Sequence, residues 1–66
     1  MDRKEEIETL EQARGVLQNA ARLLCTVYSE GSPLVSHATE GLQRQAAQAM
    51  RDCERLLAVL AMEKNA

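Results

Sequence analysis

Turn-forming residues cluster at one place in this chain, Ser29-Glu30-Gly31-Ser32-Pro33, near the midpoint of its 66 residues. Gly31 can adopt the left-handed conformation that closes a helix C-terminus. Ser32 followed by Pro33 supplies an N-cap and a first helical residue whose missing N–H costs nothing there. The pattern predicts a first helix over about 3–29, a turn over about 30–33 and a second helix over about 34–63. A connection this short forces the helices to run antiparallel. The expected fold class is all-α, a single two-helix antiparallel hairpin over 1–66 with coiled-coil-like packing, self-associating or completed by a partner.

Asp2 with Glu5 three residues later reads as a capping box, and Glu5, Glu6 and Glu8 place negative charge where the helix dipole favours it. From there Ile7, Leu10, Ala13, Leu17, Ala20, Ala21, Leu24, Val27 and Tyr28 recur at spacings of three and four. Glu8, Glu11, Gly15, Gln18, Asn19 and Arg22 fall on the opposite side. Once Val16 and Leu23 are added, the apolar positions cover about half the circumference, wider than one antiparallel neighbour can bury. The first helix should therefore touch more than the second. Gly15 costs about 1 kcal/mol relative to Ala in a helix. It reads either as a tolerated surface glycine or as a point where a partner backbone comes close.

In the second helix Val35, Ala38, Leu42, Ala46, Ala49, Cys53, Leu56 and Leu60 keep a three-four spacing for seven turns, as the seam of a coiled coil does. This seam is expected to face the first helix. The run Leu56-Leu57-Ala58-Val59-Leu60-Ala61-Met62 is apolar on every side, and a hairpin can cover only one. The rest is a fraying end or an interface, and contiguous exposed apolar surface usually marks association. The residues expected on a protein interface are Val16, Leu23, Val27, Leu57, Val59 and Met62. Glu63-Lys64-Asn65-Ala66 should form a short polar tail.

Sixty-six residues is near the size at which one core is only marginally able to offset chain entropy. The apolar fraction of 45% includes much alanine, with Tyr28 as the one aromatic residue, so large anchors are few. A net charge of −2 and a pI near 5.3 argue against a polyanion as main ligand, which excess Lys and Arg would bind. The charged N-terminal residues lack the apolar stretch of a signal peptide, and the longest apolar run is too short for a bilayer. A cytoplasmic location is expected. Cys25 and Cys53 lie on opposite helices, and a hairpin folded about Gly31 sets them some 20 Å apart, beyond disulfide reach. Both are read as reduced thiols, Cys53 as a small apolar seam residue facing Leu10. No third soft ligand accompanies them, so neither metal nor cofactor is expected.

His37 is the one residue whose ordinary pKa lies near neutrality, with Ser36 and Thr39 beside it. Catalysis needs an oriented constellation in a concave pocket, which a two-helix hairpin does not provide, so no enzymatic activity is expected. His37, Arg44, Arg51 and Arg55 line one polar stripe. Glu40 pairs with Arg44 at i,i+4, while Arg51 and Arg55 repel mildly. The stripe reads as a solvated face, as a strip of contacts to an acidic protein surface, or as a contact to phosphates.

The layout of Gln48-Ala49-Met50-Arg51-Asp52-Cys53-Glu54-Arg55-Leu56-Leu57-Ala58-Val59-Leu60 resembles the aliphatic second helix of the small type III secretion needle-subunit co-chaperones, the YscE and PscE kind. The charged N-terminus and the central glycine-containing turn extend the resemblance, as architecture, over the whole chain. It implies a cytoplasmic hairpin that joins a second, helical-repeat chaperone to keep a needle subunit unassembled until export, without catalytic residues. When alone, such a chain could pair with itself in a four-helix arrangement. Two other readings stand beside it. One is a homodimeric four-helix bundle binding structured RNA through His37, Arg44, Arg51 and Arg55, resembling small plasmid copy-number regulators; the acidic pI weighs against nucleic acid. The other is a purely structural bundle.

Overall fold

The computed structural model describes the backbone of residues 1–65 and the side chains of residues 1–63. The extended backbone of Asp2 opens the first helix, and its Oδ1 accepts the Glu5 N–H at 2.8 Å. That bond satisfies one of the donors every helix N-terminus leaves free, and Glu5 and Glu6 add favourable charge. The helix so started, α1, spans Arg3–Glu30, and a second, α2, spans Pro33–Asn65. They pack side by side as an antiparallel hairpin, a rod of 50 × 15 × 15 Å. The expected tail does not form, because α2 continues through Asn65; Ala66 lies outside the described residues.

The turn departs from expectation in its backbone. Gly31 is extended, with φ −76° and ψ 171°, not left-handed, and no described glycine has a positive φ. Its N–H instead donates to Val27 O at 2.8 Å, and a Cβ built on Gly31 would lie 2.5 Å from that same oxygen. Glycine is required here for close approach, not for handedness. Gly31→Ala is therefore expected to destabilise by about 1–3 kcal/mol, as overpacking does. Gly15→Ala meets nothing within 4 Å and should stabilise by roughly 0.5–1 kcal/mol. Urea titrations of the two variants should thus move in opposite directions.

Across the turn Ser32 caps α2, and α2 in turn caps α1. Ser32 O accepts the Ser36 N–H at 2.8 Å, and Ser32 Oγ lies 3.4 Å from Val35 N, a long N-cap contact. Ser36 Oγ then donates back to Tyr28 O at 2.7 Å, satisfying a carbonyl that the end of α1 leaves without a helical partner. This bond turns the Ser36 side of α2 toward α1 and sets which stripe of α2 becomes the seam.

The residues withdrawn from solvent repeat at alternating steps of three and four. In α1 they include Ile7, Leu10, Leu17, Ala21 and Leu24; in α2 they include Ser36, Thr39, Gln43, Ala46, Met50, Cys53, Leu57 and Leu60. The seam expected from the sequence is thus rotated. Ala46, Cys53 and Leu60 belong to it, but Val35, Ala38, Leu42 and Leu56 face solvent. Polar Thr39 can occupy the seam because its hydroxyl donates to Ser36 O at 3.0 Å, leaving no unpaired group. Register is fixed at Cys53, whose thiol lies 3.4 Å from Leu10 O, and at the chain ends, where Arg3 Nη1 meets Glu63 Oε2 at 2.7 Å. Both partners of that ion pair are largely exposed, so it adds little stability.

Among the described residues only Ala46, Leu60 and Thr39 are buried, and no side chain is fully enclosed. The single hairpin has a seam but hardly a core. Large apolar side chains crowd the seam near the chain ends, where Ile7, Leu10, Leu57 and Leu60 lie, while at its turn end α2 contributes only Ser36, Thr39 and Gln43, set against Ala21 and Leu24 of α1.

Candidate protein-binding face

In heptad terms the seam occupies positions a and d of both helices, with Ile7 and Ser36 at a and Leu10 and Thr39 at d. A second apolar stripe follows the same three-four rhythm one residue earlier, at positions c and g. In α1 it holds Ala13, Val16, Ala20, Leu23 and Val27; in α2 it holds Val35, Ala38, Leu42, Ala49, Leu56 and Val59. On each helix this stripe lies about 100° from the seam, displaced in the same rotational sense. Because the helices run antiparallel, displacements of one sense bring both stripes to the same side of the hairpin. The result is one broad apolar face, interrupted on α2 by Gln45 and Asp52. The Asp52 carboxylate accepts from Gln48 Nε2 at 2.9 Å.

Val16, Leu23, Val27 and Val59 all stand exposed on this face; Val16 is 69% accessible and Leu23 54%. Two other expected interface residues lie elsewhere. Leu57 is half-buried in the seam, and Met62 points outward at the rim of α2, on the same edge as Leu34. Val35, Ala38, Leu42, Ala49 and Leu56 are members of the face that the sequence reading placed in the seam. The signal that could have found them is Ser36: a hydroxyl capping α1 from the first turn of α2 fixes the rotation of everything after it.

The opposite side of the hairpin is polar. His37, Arg44 and Arg51 share position b of α2, and Arg55 stands beside them at f. Arg44 Nη2 lies 3.1 Å from Glu40 Oε1, Arg51 Nη2 donates to Gln48 Oε1 at 3.1 Å, and Glu54 sits between Arg51 and Arg55 in sequence. Acidic side chains are thus interleaved with the stripe, which is not a continuous basic patch. Across from it on α1, Arg22 Nη2 donates to Asn19 Oδ1 at 2.7 Å. Cys25 is exposed on this polar side and Cys53 is half-buried, both as free thiols. Among the described residues no group of three or more His, Cys, Asp and Glu side chains is placed to hold a metal ion. No described helix is long and apolar enough to cross a membrane.

Comparison with family models, with curated proteins and with solved structures finds no match for this chain. The two-faced hairpin itself is therefore the ground for a functional reading.

Proposed function

We propose that this hairpin works by binding protein through its apolar face, as a cytoplasmic co-chaperone that helps keep a type III secretion needle subunit unassembled together with a second helical chaperone. The observation that carries the binding role is the face itself. Eight apolar side chains at positions c and g, among them Val16, Leu23, Leu42 and Leu56, stand open to solvent in a chain with almost no core of its own. Such a surface is unfavourable in water and is satisfied by an amphipathic helix laid along it. The choice of client rests on the resemblance of Gln48 to Leu60, and of the whole hairpin layout, to the needle co-chaperones. A tagged pull-down from the native organism, with and without nuclease and read by mass spectrometry, tests it. Stoichiometric recovery of a helical-repeat protein and a small needle-like subunit, indifferent to nuclease, is expected. Nuclease-sensitive recovery of RNA would overturn it.

A further inference from the structure

We propose that a second copy of this chain covers the apolar face when no client is present, laid across it with the turn of one hairpin over the chain ends of the other. This goes beyond the client-binding reading and does not depend on it. The first argument is area. The chain exposes 5082 Å², whereas a compact monomer of 7.3 kDa exposes about 4,200 Å². The excess, roughly 900 Å², matches the ~800 Å² that each partner buries in an interface of standard size. A rod of 50 × 15 × 15 Å exposes more than a globule by its shape alone, and the apolar face is the part of that surface a partner can cover.

The second argument names the occupant and its direction. Along α2 the face is arranged symmetrically about Ala49, with Leu42 and Leu56 seven residues to either side and Gln45 and Asp52 at minus four and plus three. A two-fold axis across the rod, passing near Ala49, stacks α2 on α2 of the other copy in antiparallel register. Each Gln45 amide then meets the Asp52 carboxylate of the other chain, and the leucines meet each other. Along α1 the same axis passes beside Val16, with Ala13 and Ala20 flanking it. The alternative axis, along the rod, stacks α2 on α1 and sets Gln45 against Ala20 and Asp52 against Ala13. It would desolvate the Gln45 amide without giving it a partner and leave the Asp52 carboxylate with Gln48 of its own helix alone, which is costly. The crosswise arrangement avoids that penalty.

Sedimentation equilibrium of the full chain tests this. The wild type is expected to show a monomer–dimer equilibrium over a hundredfold concentration range. Gln45→Lys, which sets an ammonium against Asp52 twice, should tighten the dimer, and Gln45→Asp, which sets carboxylate against carboxylate, should weaken it at least about tenfold. Gln18→Lys, on the polar side, carries the same change of net charge as Gln45→Lys and should leave the constant unchanged. Gln45 is exposed in the single hairpin, so circular dichroism should report the same helicity in all four proteins at low temperature. A wild type that stays monomeric, leaving the face to a foreign helix, overturns the proposal. So does a dimer whose constant is indifferent to the sign of the charge at position 45. Neither result bears on client capture, which the pull-down reads separately.

Discussion

Leu23→Asp combined with Val59→Asp is expected to reduce protein capture more than hundredfold while the chain still forms helices. Leu23 is 54% and Val59 45% accessible in the hairpin, one on each helix of the apolar face. Neither substitution removes a seam contact, so the local cost to the hairpin is small. In a complex each would bury a carboxylate where an aliphatic side chain belonged. Losing the burial of a Val or Leu costs about 1.5–3 kcal/mol, and an unpaired desolvated charge adds to it. Two sites on separate helices lie far enough apart to add, so even the lower figure doubled exceeds the ~2.7 kcal/mol of a hundredfold change. Binding of the partners recovered by pull-down would be measured by titration calorimetry. Unchanged affinity with intact helicity would place the interface elsewhere.

Leu60→Ala should have the largest effect on the hairpin itself. Leu60 is the one large aliphatic side chain among the described residues that is buried, at 8% accessibility. Truncating a buried leucine costs about 2–5 kcal/mol. In a chain of this size each kcal/mol moves the melting temperature by about 4–8 °C, so the midpoint should fall by at least about 8 °C. Leu34→Ala serves as the control. Leu34 is 79% accessible at the rim, and its truncation should change stability by less than about 0.5 kcal/mol. Thermal melts followed by circular dichroism would separate the two.

The two helices, their antiparallel pairing and the facing of Cys53 toward Leu10 were legible because they follow from the Gly31–Pro33 punctuation and from simple counting along a hairpin. The helix ends were legible to within a residue or two. The rotation of α2 was not. Its c and g positions carry Val35, Leu42 and Leu56, while a and d carry Ser36, Thr39 and Gln43, so apolar periodicity alone selects the wrong stripe. What overrides periodicity is hydrogen bonding: Ser36 caps α1 through Tyr28 O, and Thr39 satisfies itself on Ser36 O. Two short polar side chains thereby enter the seam without penalty and turn the greasier stripe outward. For the same reason Leu57 was placed on the interface and belongs to the seam. The exposure of Val16, Leu23 and Val27 was legible because the first helix is apolar over more of its surface than one neighbour can cover.

The uneven seam also bears on how quickly the chain finds its fold. A helical hairpin zips outward from its turn, and each added pair must repay the entropy of ordering more chain. Here the first pairs to form set Ser36, Thr39 and Gln43 of α2 against Ala21 and Leu24 of α1, so Leu24 is the one large aliphatic side chain among them. The rewarding contacts come last, near Leu10 and Cys53, 43 residues apart in sequence. The barrier is therefore late. Despite its two helices and short loop, this chain should fold more slowly than a hairpin with its leucines beside the turn, through a transition state already closed over most of its length.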